Sequence, residues 1–231
     1  MGQKVHPKSF RLKVNKTWDS KWYADGDFAA YLKQDLLIRK FIQKKLKNAH
    51  VSRVDIERSN SGIIVNVYAA KPGMIIGRGG QGVEVLKKEM HNEILKDAFS
   101  RKKGLKNINL NIFEVSSPST DAAIIVQSIA GDLEKRMPFR RVVKQAIGRA
   151  EKSGAKGVKI MVSGRLDGAE IARRETLFSG KIPLHTLRAD IDYSRGAAQT
   201  IYGKVGIKVW VYKGDIFEAK GAQAAAKEIK K

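Results

Sequence analysis

The chain has 231 residues, room for one large domain or two small ones, and 42% of them are hydrophobic, enough to build real cores. Its 45 Lys and Arg against 23 Asp and Glu give a formal net charge of +22, so the expected partner is a polyanion, with nucleic acid ahead of a membrane surface because no basic helix carries a wide aromatic face. The absence of cysteine excludes disulfides and Cys-based zinc sites, and no apolar run approaches the roughly 18 residues of a membrane span or forms the core of a secretion signal, so the expectation is a cytosolic protein.

Residues 1–27 are polar and poorly periodic. Lys4, His6, Lys8, Arg11, Lys13 and Lys16 make a basic arm, expected to order on an anionic partner. From Phe28 a helical pattern begins: Phe28, Leu32 and Leu36, then Ile38, Ile42 and Leu46, recur at three- and four-residue steps. Val54 and Ile56 alternate with Asp55 and Glu57, a turn follows at Ser59–Gly62, and Ile63, Val65, Val67 and Ala69 line one face of a second strand that stops at Pro72-Gly73.

Met74-Ile-Ile76 leads into the glycine loop and then a helix with Val83, Leu86, Met90 and Ile94 on one stripe. After the basic turn Arg101-Lys-Lys-Gly104, a third strand alternates Ile108, Leu110 and Ile112. Ser116-Ser-Pro118-Ser119 is the best domain boundary. Beyond it Ala122, Val126, Ile129 and Leu133 make one helix. Phe139 to Lys152 makes another, with Val143, Ile147 and Ala150 inward. Strands follow at Val158–Val162, Ala169–Thr176, Leu187–Tyr193 and Val205–Val211, and helices followed by strands read as α+β with a mainly antiparallel sheet.

Gly77-x-Gly79-x-x-Gly82 formally matches a dinucleotide fingerprint. That motif needs a strand running straight into the loop and an acidic residue about 20 positions on. Here Pro72-Gly73 breaks the strand, and the later region is Arg101-Lys-Lys103. A phosphate-binding P-loop fails because no Lys follows Gly82. The other parse is Ile76-Gly-Arg-Gly-Gly80, a G-x-x-G loop joining two short helices. The order helix–strand–strand–helix–helix–strand is that of a type II KH domain. In such a loop Gly77, Arg78, Gly79 and Gly80 bring backbone and one positive charge close to an RNA backbone, while the N–H groups of the following helix favour phosphate. The alternative is a sharp helix–helix turn with no contact to RNA.

With both halves read, the sequence resembles the family of the third protein of the small ribosomal subunit, in its bacterial form, from about residue 1 to 214. The carriers are Gly2-Gln-Lys-Val-His-Pro7 with Phe10-Arg-Leu12, Pro72–Gly80, Gly157-Val-Lys-Ile-Met-Val-Ser-Gly-Arg-Leu166, Gly168–Arg173, Pro183-Leu-His-Thr-Leu-Arg-Ala-Asp-Ile-Asp-Tyr193 and Gly206-Ile-Lys-Val-Trp-Val-Tyr-Lys-Gly214. Ser9 and Lys13 stand where the family usually has glycine, and Leu177 where an aromatic is common.

The resemblance implies an α+β protein of two domains. A type II KH domain spans 28–117, a mixed three-stranded sheet with helices on one face. An α+β domain spans 118–214, two helices on a mainly antiparallel sheet. A basic arm (1–27) and a disordered Ala/Lys-rich tail (215–231) flank them. It implies a non-enzymatic component of the small-subunit head that binds 16S rRNA. Its neighbours would be the tenth and fourteenth small-subunit proteins, and it would lie at the channel through which mRNA enters. There the family contributes basic residues to mRNA unwinding. The matching positions are Arg140, Arg141 and Lys144, which helical steps of three and four set side by side. Lys4, His6, Arg11 and Arg165 complete the candidate RNA contacts.

No cofactor or metal is expected: His6, His50, His91 and His185 have no metal spacing. An enzyme acting on nucleic acid would need a carboxylate or His cluster beside the basic groove, and spacing offers none. Asp190 and Asp192, two apart with Arg188, read as an ion-pair ladder. Trp210 and Tyr212 read as a covered sheet face rather than a stacking platform.

Overall fold

The computed structural model describes residues 4–59, 62–95 and 107–216. These form two units: 18–118, and a second that joins residues 4–17 to 119–216. The central turn residues at 60–61, the basic turn at 101–104, the side chain of Ile94 and the tail beyond 216 lie outside the described residues.

The first unit begins with a two-residue strand, β1 (Ser20–Lys21), before α2 (Phe28–Lys45); α1 (Pro7–Phe10) belongs to the other unit. Then come β2 (Val51–Arg58), β3 (Gly62–Ala69), α3 (Pro72–Ile76), α4 (Gln81–Leu95) and β4 (Asn107–Glu114). The sheet order is β1-β2-β3-β4. The β2–β3 pair is antiparallel and β3–β4 parallel, the mixed sheet expected. It has a fourth strand, because β1 pairs in parallel with β2 through Ser20 and Ile56.

Ile56, Val65 and Val67 are fully buried beneath Ile38 and Ile42 of α2 and Met90 of α4. The helix over 28–45 is where periodicity placed it, but its first half faces differently. Phe28, Leu32 and Leu36 are exposed, and Ala30, Gln34 and Asp35 are buried instead. The reason is polar. The Asp35 carboxylate is closed off from solvent by Arg58 Nε at 3.1 Å, Trp22 Nε1 at 2.8 Å and Ser20 Oγ at 2.9 Å, each donating to it. Arg58 also donates to Gln34 Oε1 at 2.9 Å. A buried charge satisfied from several directions outweighs the gain from turning three apolar side chains inward.

In the second unit, α5 (Ala122–Glu134) and α6 (Phe139–Lys152) pack on β5 (Gly157–Gly164), β6 (Arg173–Gly180), β7 (Ala189–Thr200) and β8 (Gly203–Asp215). The order is β6-β5-β8-β7, with antiparallel pairing throughout. Val158, Ile160 and Val162 of β5 and Val205, Ile207, Val209 and Val211 of β8 face the helices, as their alternation predicts. Helix α5 approaches β7 so closely that a Cβ on Gly196 would sit 2.5 Å from Val126 Cγ1.

Strand β6 lies four residues later than the expected 169–176. A tight turn over Leu166–Gly168, with Asp167 at φ 52° and Gly168 at φ 82°, comes just before that stretch, and residues 169–172 leave it unpaired before the strand starts. Leu187 is exposed and precedes β7.

The basic arm is not a free element. Its first part, residues 4–17, docks on the second unit, and its remainder, from Trp18, belongs to the first. His6 caps α1, its Nδ1 accepting from the N–H groups of Lys8 at 3.2 Å and Ser9 at 3.4 Å. Lys13, in a position where glycine is usual in the resembling family, adopts φ 66° and donates its N–H to the Lys16 carbonyl at 2.9 Å. A lysine there carries a modest backbone strain that glycine would not.

Candidate nucleic-acid interface

Helix α6 separates two chemistries by its period. Phe139, Val142, Val143, Ala146, Ile147 and Ala150 are buried, and Arg140, Arg141 and Lys144 are exposed on the opposite side. The helix start is fixed by the turn before β6: the Asp167 carboxylate accepts the Phe139 N–H at 3.3 Å. The expected basic surface therefore exists as a rigid helical face.

Glu175, on β6, was not foreseen. Its carboxylate accepts from Arg140 Nη2 at 3.1 Å and Nε at 3.3 Å, and Arg173 Nε lies 3.6 Å from it. The pairing lowers the Glu175 pKa through the hydrogen bond from Arg140 and raises that of Arg140 through the same bond. Arg140 is exposed and Glu175 half-buried at the surface, so the pair orients the guanidinium more than it stabilises the fold. No local pattern in the sequence marks Glu175, because its role comes from Arg140, 35 positions away.

Arg165 is half-buried beside a cleft of about 450 Å³ next to the start of α6. Its Nε donates to the Ala169 carbonyl at 2.9 Å, and its guanidinium lies 5.4 Å from the Tyr202 ring centroid.

The glycine loop joins α3 to α4 as the KH parse requires. Gly77, Gly79 and Gly80 have φ of 68°, 61° and 80°, conformations that favour glycine. A Cβ on Gly82 would meet the carbonyl oxygens of Ile75 at 2.6 Å and Ile76 at 2.8 Å, so the two helices touch through backbone there. Arg78 and Gly79 are exposed, and Met74 and Ile76 leave an apolar shoulder beside them.

The arm residues separate. Lys4 is exposed. His6 is occupied at Nδ1 by its cap and meets the Tyr193 ring edge-on at 4.8 Å. Arg11, expected among the RNA contacts, is instead fully buried. Its guanidinium donates to the carbonyls of Ala189 at 2.8 Å, Thr186 at 2.8 Å, Leu184 at 3.0 Å and Pro7 at 3.1 Å. A guanidinium closed off from solvent, with Nε, Nη1 and Nη2 all turned to main-chain carbonyls, does not reach a phosphate. Arg11 is an internal clamp, and that reading of it is corrected.

The carboxylate ladder is also rearranged. Asp190 pairs with Lys16 at 2.6 Å, Asp192 with Lys8 at 3.1 Å, and Arg188 with Asp215 at 3.1 Å. Burial works against the charge on Asp192, but Lys8, the Ala122 N–H at 2.8 Å and Lys213 outweigh it and hold its pKa below the usual value. Trp210 is covered, as expected, in a small second core with Ile191 and Tyr193. Among the described residues no group of three His, Cys, Asp or Glu could hold a metal, and no described helix is long and apolar enough to cross a membrane.

Comparison with known proteins matches residues 37–120 to the KH domain family and residues 129–211 to the family described as ribosomal protein S3, C-terminal domain. A relative from Caldicellulosiruptor saccharolyticus, a small ribosomal subunit protein uS3, is 52% identical over 225 residues, covering 97% of each chain. The chain belongs to the uS3 family. The uS3 proteins of Clostridium tetani and Streptococcus uberis are 53% and 49% identical, over 95% of this chain in both cases. The uS3 family is structural rather than enzymatic, and its two RNA-binding domains coincide with the two units of the fold.

Proposed function

We propose that the chain is a structural constituent of the small-subunit head that binds 16S rRNA and lines the channel through which mRNA enters. In this reading the α6 surface of Arg140, Arg141 and Lys144 helps separate mRNA strands during translation. The tenth and fourteenth small-subunit proteins are its neighbours, and the Gly77–Gly80 loop, Lys4 and Arg165 add contacts to RNA. The observation that carries the proposal is α6 itself. Its apolar side is anchored in the core, so three cations are presented on a surface that cannot collapse onto RNA or drift from it. Fixed cations suit a duplex being pulled open, because each newly exposed phosphate meets charge already in place.

Replacing Arg140, Arg141 and Lys144 together by Ala is expected to slow ribosomes on messages with stable hairpins, while unstructured messages are read at nearly the normal rate. Equal slowing on both messages would sink the proposal.

A further inference from the structure

The helix-free face of the second unit's sheet has a charge pattern that its fold does not require. Register places Phe178, Lys159, Trp210 and Tyr193 in one row across β6, β5, β8 and β7. The next row is Thr176, Met161, Lys208 and Arg195, and Arg174 follows on β6. The arm and the segment before β7 cover the Tyr193–Trp210 end. They leave the rest open: Phe178 is 71% exposed, and Arg174, Arg195 and Lys208 are exposed.

From the Phe178 row to the Gln199–Lys204 pair, the strands put Lys159, Arg174, Arg195, Lys204 and Lys208 on this face and no carboxylate. Among the described residues, Arg174, Arg195, Lys204 and Lys208 make no ion pair. Lys159 lies 5.6 Å from the Trp210 ring centroid, its charge held over an aromatic face instead of a counterion. The helix-free face of the first unit's sheet is a useful contrast. There Arg53 shares the surface with Asp55 and Glu57, so cations and anions are mixed.

An unbalanced basic face is costly by self-repulsion and is relieved by an anion. An exposed aromatic ring beside it is a stacking platform for an unpaired base, which a base within a duplex cannot reach. We infer that this sheet face, through Phe178, Lys159, Lys208, Arg195 and Arg174, binds a single-stranded segment of RNA, separately from the α6 surface on the opposite side of the sheet. Arg195, Lys208 and Arg174 meet phosphates, and Phe178 stacks on one base.

The test uses the full-length protein with a labelled single-stranded oligouridylate, read by fluorescence anisotropy over a range of salt. Arg195→Ala with Lys208→Ala is expected to weaken binding about tenfold and to reduce the slope of log K against log salt by about 1.4, the value for two lost single-strand phosphate contacts. Phe178→Ala is expected to weaken it about tenfold with the slope unchanged, the signature of lost stacking. Both losses persist when Arg140, Arg141 and Lys144 are already Ala, which separates this site from the one proposed on α6. Ultraviolet cross-linking of unmodified protein to the same RNA gives a readout that no variant's folding can confound, with the adducts expected on β5, β6 or β8. Cross-links confined to α6, or unchanged affinity in both variants, would overturn the inference. So would a face that captures an acidic peptide and leaves RNA binding unaffected by these substitutions.

Discussion

Arg11 donates from Nε to the Ala189 carbonyl at 2.8 Å, joining positions 178 residues apart in the chain. The same guanidinium holds the carbonyls of Leu184 and Thr186, so one side chain orders the segment that leads into β7. Asn15 adds hydrogen bonds from Nδ2 to Leu187 and Ala189. Arg11→Ala would leave buried carbonyls without donors, and a loss of about 3 kcal/mol is expected, read as a lowered denaturation midpoint. Arg11→Lys keeps the charge but not the planar fork, and is expected to recover less than half of that. Full stability in Arg11→Lys would show that charge, not geometry, holds the arm.

His6 makes the arm's docking depend on pH. Burial, then Lys8 and Arg195, lowers its pKa from 6.5. Protonation also removes the Nδ1 lone pair that caps α1. The unfolded state therefore takes up the proton first, and stability contributed by His6 is present above pH 6.5 and lost as pH falls through its lowered value. Asp192, held below the usual carboxylate range by Lys8, the Ala122 N–H and Lys213 against its burial, keeps its charge across that window. His6→Asn preserves a capping side chain without titrating. As pH falls below 6.5 the wild type is expected to lose thermal stability relative to His6→Asn. Parallel curves for the two proteins would refute this role.

What could be read from sequence was whatever rests on local period. The β3, β5 and β8 alternations and the α5 and α6 stripes all survive, because a one-residue slip would expose a whole core face. What could not be read was set by partners distant in the chain. Asp35 turns the first half of α2 only because Arg58 and Trp22 reach it. Arg11 looked like one more cation in a basic arm, since nothing local distinguishes a guanidinium bound for solvent from one bound for carbonyls near residue 189. Glu175 was missed for the same reason: its meaning comes from Arg140, 35 positions away.

If the α6 surface meets RNA as proposed, Glu175 competes with that RNA for Arg140. A phosphate arriving at α6 must take over a guanidinium that already has a bidentate acceptor, with Arg173 close to the same carboxylate. Glu175→Gln removes the negative charge while keeping the size of the side chain. It is expected to tighten binding to a labelled RNA hairpin about threefold at low salt, with the gain fading as salt rises. The fold should be indifferent, since exposed pairs of this kind contribute little. A weakening instead would mean that Glu175 positions Arg140 for RNA and does not restrain it.

The glycine loop can be tested without confusing strain with charge. Gly79 has φ 61° and ψ 21°, and a Cβ there would meet nothing within 4 Å. Asn and Asp are the residues that best tolerate this left-handed conformation, and they differ only in charge. Gly79→Asn and Gly79→Asp should therefore be folded to the same extent, each with a small strain cost of about 1 kcal/mol. If the loop and the N–H groups at the start of α4 face phosphate, Gly79→Asp puts a carboxylate where the RNA backbone must lie. Binding of the full-length protein to single-stranded RNA is then expected to fall about tenfold for Asp and less than twofold for Asn, with the difference shrinking at high salt. Equal affinities for the two variants would mean that the loop only turns the chain between α3 and α4. Gly82→Ala sets the structural limit: its Cβ would press on the Ile75 and Ile76 carbonyls, so it should destabilise the first unit whatever the loop binds.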